Sequence, residues 1–202
     1  TFMYHPHADE MTQMAMGMMG FWVTHPKEKH PDIDEVNRDF CFILNSFDID
    51  PGSYTPKPAT MLDFNIWAWN SRVFPGIDTL NVRLNDKVRI RVGNLTMTNH
   101  PIHLHGHEFH ITGTDGGPTP KATRWYEVTT DVAVGQMRQI EFLADEEGDW
   151  AFHCHKSHHT MNAMGHDLAN LIGVDHRGLA GKIKKIIPGY MAMGERGMAD
   201  MT

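Results

Sequence analysis

The sequence predicts an all-β fold, an antiparallel sandwich or barrel. Seven short strand-like runs follow one another between residues 38 and 152, separated by turn-forming segments such as 50–53 and 116–118. Residues 87–92 alternate charged and apolar side chains with a period of two, which predicts a half-buried strand. Helical patterning is expected only near the C-terminus, around 179–187. In chain order, the runs are 40–47, 61–69, 87–92, 107–112, 124–128, 136–143 and 150–152.

Composition excludes several classes of protein. The chain of 202 residues has 15 histidines and 15 methionines but only 2 cysteines, and its net charge is −7. Two cysteines exclude a disulfide scaffold and a cysteine-rich zinc module. The acidic balance argues against a nucleic-acid partner, and no apolar run approaches the roughly 20 residues of a membrane span. A globular chain rich in imidazole and thioether, both metal-binding groups, is what remains.

The domain organisation is predicted from the two ends of the chain. The sequence starts without methionine in a strand-like segment, which suggests the C-terminal part of a longer protein. Residues 27–37 are charged and contain proline, as expected for a linker. We therefore expect 1–37 to be the end of one β domain with its linker, 38–176 a second domain, and 177–202 a tail with a short helix.

Histidines concentrate in three blocks that each contain the pattern H-x-H. The first is His5–Pro6–His7, the second has five histidines between residues 100 and 110, and the third has four between 153 and 159. In a strand, residues i and i+2 point to the same face, so one H-x-H aims two imidazoles at one metal site. The three blocks predict a metal-binding protein.

The block around Cys154 carries the most specific signal. His153 and His155 share one face of a strand and Cys154 points to the other, while His159 and Met164 follow five and ten residues later. A thiolate, two imidazoles and a weak axial thioether are the ligands of blue-copper electron-transfer sites. The backbone between Cys154 and its neighbours would then be a short covalent route for electrons to a second metal site.

These motifs resemble those of a known family. H-C-H-x3-H-x4-M at 153–164, together with H-P-x-H-x-H-G-H at 100–107, is similar to the C-terminal half of multicopper oxidases, the family of laccases, bilirubin oxidases and cuprous oxidases. Y-H-P-H at 4–7 resembles the H-x-H that ends their first cupredoxin domain. The resemblance implies a cupredoxin-like Greek-key sandwich or barrel, preceded by the end of another cupredoxin domain.

The resemblance also implies a ligand set and about four copper ions per complete subunit, one type 1, one type 2 and a type 3 pair. Cys154, His153 and His155 would carry the electrons between the two sites. The type 1 ligands would be His100, Cys154, His159 and Met164. The type 2 copper would be held by His103, and the type 3 pair by His5, His7, His105, His153 and His155.

One part of the family's trinuclear cluster is missing from this sequence. The family uses four H-x-H pairs and only three occur here, so an upstream segment or a neighbouring chain is expected to supply the fourth. About one domain separates His7 from His100, which resembles the two-domain oxidases rather than the three-domain laccases. In that group neighbouring subunits complete the clusters, usually in a homotrimer.

The implied activity couples two reactions. A small reducing substrate, either a phenolic compound or a metal ion such as Cu(I), would be oxidised at the type 1 copper, and O₂ would be reduced to water at the trinuclear cluster. The resemblance implies a location in the periplasm or outside the cell, although no export signal is visible in the sequence.

Residues for proton transfer are a further expectation. Asp9 and Glu10 follow His7 directly, and His107 ends H-x-H-G-H without being a usual ligand, so it is expected to support the ligands. Laccases often have an acid between H-C-H and the next histidine, whereas this chain has Lys156 in that stretch. The methionines at 11–19 fit both a packed face and soft Cu(I) docking.

Three other functions are compatible with parts of the pattern. A copper nitrite reductase also joins two cupredoxin domains but needs only one mononuclear catalytic copper. A non-enzymatic electron-transfer cupredoxin would need the type 1 ligands alone. A dinuclear zinc hydrolase is suggested by His5-x-His7-x-Asp9, but Glu10 stands where its next histidine should be, and Cys154 would have no role.

Overall fold

The computed structural model describes residues 1–50, 52–74, 76–161 and 185. The predicted all-β class is confirmed, since nearly all the regular structure within these residues is strand. The strands are β1 (Phe2–Tyr4), β2 (Gly20–Trp22), β3 (Arg38–Phe47), β4 (Ile66–Trp69), β5 (Lys87–Asn94), β6 (His100–Leu104), β7 (Phe109–Thr114), β8 (Gly117–Pro118), β9 (Tyr126–Glu127), β10 (Thr129–Val132), β11 (Met137–Leu143) and β12 (Phe152–Cys154). The helices are α1 (Glu10–Ala15), α2 (Ser157–Met161) and a 3₁₀ turn at Lys121–Thr123.

Two sheets enclose the apolar core. The larger has the order β4-β3-β5-β11-β7-β8, with β9 also paired to β7, and the smaller has the order β10-β6-β12. Pairing is antiparallel except between β3 and β5. Leu44, Ile90 and Ile140 of the larger sheet pack with Ile102 of the smaller one, and all four are almost completely buried. Each such side chain contributes about 1.5–3 kcal/mol through burial.

Strand β5 differs from the half-buried strand that its alternation predicts. Arg89 and Arg91, on its charged face, are as well buried as the core. Arg89 Nε lies 2.7 Å from Glu141 Oε1, and Arg91 Nη2 lies 2.6 Å from Asp39 Oδ2. Buried charges are tolerated when they are paired in this way. The prediction failed because acidic residues on the flanking strands and the N-terminal Thr1, which contacts Arg91, cover this face.

Strands β1 and β2 form a small antiparallel sheet that packs against the larger sheet. Strands β1 and β2 pair with Met3 opposite Phe21, and Gly93 of β5 allows the contact, because a Cβ there would overlap Met3 and press on Phe21. The segment expected to be a linker is held by Asp34, which lies 2.6 Å from Arg124. The division into domains at residue 37 stays a prediction.

The prediction that helix occurs only near the C-terminus is wrong. Helix α1 lies between β1 and β2, and α2 follows β12. At six and five residues they are too short to produce a periodic pattern, although α1 consists mostly of good helix formers. The helix expected around 179–187 falls almost entirely outside the described residues. Within the described part of the chain, no helix is long and apolar enough to cross a membrane.

Candidate metal centre

The smaller sheet presents different chemistry on its two faces. In β6, His100 and Ile102 point into the core and His103 points outward, as the period of two requires. In β12, Cys154 points inward and His153 outward. The strands pair with Cys154 opposite Ile102 and His153 opposite His103, so each face collects ligands from both strands.

The inner face gathers His100, Cys154 and His159, which are 2%, 4% and 4% exposed. His159 Nδ1 lies 3.2 Å from His100 Nδ1 and 3.6 Å from Cys154 Sγ. Helix α2 brings His159 back to the sheet. In its first turn, the backbone N–H of His159 donates to the Lys156 carbonyl. We refer to these three residues as the inner cluster. Met164, the expected axial ligand, lies outside the described residues.

Two neighbours orient the imidazoles of the inner cluster. Thr96 Oγ1 lies 3.0 Å from His100 Nε2, which leaves the Nδ1 of that ring facing the other ligands. The indole of Trp67 stacks on His159, with ring centroids 4.8 Å apart and planes 17° apart. A hydrogen bond to a ligand's other nitrogen determines its tautomer and direction, as Thr96 can for His100, whereas the stacked indole restricts only the orientation of the His159 ring. The sequence analysis missed both residues, since neither lies in a histidine block.

Burial sets the protonation of the inner cluster in the absence of a metal ion. Loss of solvation lowers the pKa of His100 to about 3 and that of His159 to about 2, and the charge of Lys156 adds to both shifts. Burial raises the pKa of the Cys154 thiol to about 11. The imidazoles are therefore neutral and free to bind a metal, whereas the thiol must lose a proton when it binds one.

The outer face gathers His103, His105 and His153, with His155 beside them. His105 Nε2 and His153 Nε2 are 3.0 Å apart, and the His155 ring lies 5.3 Å from that of His103. Thr129, opposite His103 on β10, places its Oγ1 2.7 Å from His103 Nδ1. These four histidines are half-buried or exposed. We refer to them as the outer cluster.

Within the described residues, no hydrogen bond or ring contact joins the N-terminal pair to either cluster. The rings of His5 and His7 are 5.1 Å from each other, and His5 Nδ1 lies 3.0 Å from the carboxylate of Glu10. Neither ring is among the grouped metal-binding side chains. Asp9 precedes α1 in a left-handed backbone conformation, and its carbonyl accepts the Gln13 N–H whereas its side chain makes no capping hydrogen bond. Of the two acids, only Glu10 contacts a predicted ligand.

His107 is turned away from the outer cluster. Gly106 has a φ of 72°, a conformation that favours glycine, and the ring of Trp150 occupies the space that a Cβ would need. The chain turns there, so the His107 ring is buried between Phe142 and Trp150. Its Nδ1 lies 3.4 Å from the carbonyl oxygen of His105, so it contacts the backbone of a predicted ligand.

The inner cluster fits a copper ion of the blue-copper kind. It offers two imidazole nitrogens and one sulfur in a water-excluded position, the donor set that soft or borderline metals prefer. A family model described as multicopper oxidase matches residues 50–173, more than half of the chain. The chain belongs to the multicopper oxidase family. Membership of this family supports copper as the cofactor.

Individual multicopper oxidases support this membership. The multicopper oxidase MmcO of Mycobacterium tuberculosis is 34% identical over 98 residues, which cover 48% of this chain and 18% of that protein. The solved multicopper oxidase mgLAC matches with a TM-score of 0.69 and 26% identity, over 79% of this chain and 50% of its own. The likeness confirms the cupredoxin-like fold. The chain thus spans half or less of the length of these relatives.

A protein named for a different function is also similar to this member of the multicopper oxidase family. The probable nitrite reductase-hydroxylamine oxidoreductase fusion protein of Kuenenia stuttgartiensis is 25% identical over 177 residues. The match covers 81% of this chain and 18% of that protein. It keeps nitrite reduction among the functions that an experiment should test.

Proposed function

We propose that this chain contributes the electron-accepting site, and most ligands of the oxygen-reducing site, of a two-domain multicopper oxidase. The observation that carries the proposal is the placement of a buried His₂Cys cluster and an exposed histidine cluster on opposite faces of one sheet. With copper bound, the inner site takes single electrons from a reductant and the outer site reduces O₂ to water. In this proposal His100, Cys154, His159 and Met164 would hold the type 1 copper ion and His103 the type 2 ion. The type 3 pair would be held by His5, His7, His105, His153 and His155.

Peptide bonds join the two clusters directly, because Cys154 is bonded to His153 on one side and to His155 on the other. His153 Nδ1 lies 2.9 Å from the carbonyl oxygen of Cys154, so its N–H can donate to that oxygen. This hydrogen bond leaves Nε2 of His153 directed at His105. It also adds a further short connection between the thiolate residue and the outer cluster. Cys154, His153 and His155 thereby form the electron route.

The outer cluster is completed in trans in this proposal. Among the described residues, no hydrogen bond or ring contact joins His5 or His7 to the outer cluster of their own chain, and the outer histidines are half-buried or exposed, where another subunit can reach them. Each chain would offer its N-terminal pair to a neighbour, most simply in a homotrimer. An upstream segment or the neighbouring chain would add the fourth H-x-H pair. The full protein would act in the periplasm or outside the cell.

Mixing two inactive variants tests the shared site. In the full-length protein, His7→Ala removes a ligand from the N-terminal pair and His153→Ala removes one from the outer cluster. Co-assembled subunits of the two kinds form some interfaces with all ligands intact, so oxidase activity should return on mixing under conditions of subunit exchange. Activity that stays absent in demonstrably mixed oligomers would show that each cluster is built within one chain.

Spectroscopy and oxygen uptake test the activity itself. Full-length protein loaded with copper should contain about four copper ions per subunit and show a strong blue absorbance with a near-ultraviolet shoulder. It should consume O₂ with a phenol or with Cu(I) as the donor, and the comparison of the two donors identifies the reductant class. A colourless protein that retains zinc would refute the proposal in favour of a zinc hydrolase.

Copper nitrite reductase is the second candidate, favoured by the likeness to the Kuenenia stuttgartiensis fusion protein. Its single mononuclear catalytic copper does not account for four histidines gathered on the outer face. Nitrite consumption without O₂ consumption, at about two copper ions per subunit, would support it. A blue protein with one copper ion and neither activity would instead be an electron-transfer cupredoxin.

A further inference from the structure

Lys156 is held against the inner cluster by four contacts. Its Nζ donates to Thr98 Oγ1 at 2.7 Å and to Asn99 Oδ1 at 2.6 Å, and these two residues directly precede His100. Its carbonyl oxygen accepts the backbone N–H of Thr160 at 3.1 Å. Its carbonyl accepts the backbone N–H of His159 at 3.1 Å. The Lys156 side chain is thus fixed beside the residues that precede His100, and its backbone lies between Cys154 and His159 in the chain.

The charge of Lys156 acts on all three ligands of the inner cluster. It adds to the lowering of the pKa of His100 and His159, for which burial is the larger cause, and it opposes the rise that burial imposes on the pKa of Cys154. The ligands are buried, so the interaction passes through a medium of low polarity and is screened little by salt. A lysine ammonium is a compact positive charge.

Among the described residues, the carboxylate of Asp131 opposes the effect of Lys156 on Cys154. Asp131 raises the pKa of Cys154 and accepts a hydrogen bond from Asn99 Nδ2 at 2.9 Å. Asp131 is exposed whereas Lys156 is half-buried, so solvent weakens the effect of the carboxylate more than that of the ammonium. Lys156 therefore dominates the field at the inner cluster.

We propose that Lys156 is a fixed positive charge that raises the reduction potential of the copper ion held by His100, Cys154 and His159. The inference rests on the proposed function, because it requires copper at the inner cluster. Reduction adds one electron and lowers the charge of the copper–ligand unit by one. A nearby positive charge stabilises the less positive state, so it favours the reduced form. Lys156 is a positioning and tuning residue, since it does not touch the metal.

The consequence concerns the range of donors. An axial thioether such as that expected from Met164 goes with a lower type 1 potential than an apolar residue at that position. Lys156 offsets that effect and lets the site accept electrons from weaker reductants. The stretch in which laccases often have an acid thus supplies a positive charge beside the electron-accepting site in this chain.

A redox titration of the blue absorbance tests the inference on full-length, copper-loaded protein. Lys156→Gln keeps a hydrogen-bond donor and removes the charge, so it should shift the midpoint potential downward with the blue band unchanged in position. Lys156→Arg keeps the charge and should leave the potential close to that of the parent protein. Lys29→Gln is the control, because it removes a positive charge from an exposed ion pair with Glu35 and should produce no shift.

Asp131→Asn provides a test of opposite sign. Removing this carboxylate should shift the potential upward, by less than Lys156→Gln shifts it downward. An unchanged potential in a folded, blue Lys156→Gln protein overturns the inference and leaves the proposed function intact. If that variant does not fold, Asp131→Asn decides, and a zero or downward shift overturns the inference. A parent protein without any blue band refutes the proposed function and the inference together.

Discussion

The inner and outer clusters use the same two strands but lie in opposite environments. The inner cluster is almost completely buried, and its histidines have strongly lowered pKa values because they have lost their solvation. The outer cluster faces solvent, and its closest pair of imidazoles contains the exposed His105. A cluster inside the core can be completed by its own chain, because packing brings distant residues together. A cluster on the surface can be completed by another surface.

Removal of the thiolate should separate the two clusters most clearly. Cys154→Ser should abolish the blue absorbance and lower oxidase turnover more than about 100-fold, beyond the loss expected for a residue that only supports a ligand. Copper at the outer cluster should remain, as measured by metal analysis and electron paramagnetic resonance. Cys41→Ser is the matched control, since this half-buried cysteine of β3 belongs to neither cluster. Loss of copper from both clusters in Cys154→Ser would show that they are not independent.

Two threonines permit the same isosteric change on each face. Thr96→Val removes the partner of His100, and Thr129→Val removes the partner of His103. Loss of such a partner typically lowers metal affinity 10–100-fold. We expect a loss of about 100-fold for Thr96→Val and about tenfold for Thr129→Val, because water can replace the hydroxyl only on the outer face.

Copper titration with a competing chelator measures the copper affinity of each cluster in the Thr96→Val and Thr129→Val variants. Thr112→Val, at a buried threonine that bonds to Gln139 away from both clusters, controls for the loss of a hydroxyl. Equal losses at the two faces would mean that burial does not distinguish the clusters.

Trp67→Leu should have a smaller effect, confined to the inner face. The indole stacks on His159 of the inner cluster and meets the edge of the neighbouring His158. We expect about tenfold weaker copper binding at the inner cluster, seen as partial loss of the blue band, with outer-cluster copper unchanged. Trp125→Leu, an exposed indole bonded to Glu127, should change neither. A Trp67→Leu protein with full blue absorbance and unchanged affinity would contradict an orienting role for the stack.

The smallest expected effect is on stability and should spare both clusters. Hydrogen bonds from Lys121 and Arg124 lower the pKa of Asp34 to about 2, below its usual 3.8. A carboxylate with a lowered pKa stabilises the fold above its unfolded-state pKa, and the stabilisation disappears as the pH falls through the folded-state value. Asp34→Asn should cost about 1 kcal/mol at pH 7, and the difference should vanish towards pH 2.

Urea unfolding across this pH range checks the Asp34 prediction, with the blue band recorded in parallel at neutral pH. Asp78→Asn is the control, because its ion pair with Arg72 is well exposed and should contribute little. A pH-independent difference between Asp34→Asn and the parent protein would exclude the ion pair as its cause.

The faces of the metal-binding strands were predictable from local spacing. Alternation along a strand dictates that Cys154 points away from His153, and the structure has them on opposite faces. The same rule failed for β5, where Arg89 and Arg91 are buried because acidic partners on neighbouring strands neutralise them. A period-two pattern predicts to which face of a strand a side chain points, but it does not predict whether other residues bury that face.

The sequence by itself determined the family, the all-β fold and the separation of thiolate and imidazole between two faces, because each depends on residue types at short spacing. Only the tertiary structure decided which residues support the ligands. Thr96, Thr129 and Trp67 meet their histidines through pairing and packing between distant segments. It also decided that Gly106 turns His107 inward, between Phe142 and Trp150. Such contacts depend on how strands pack in space, which local patterns do not encode.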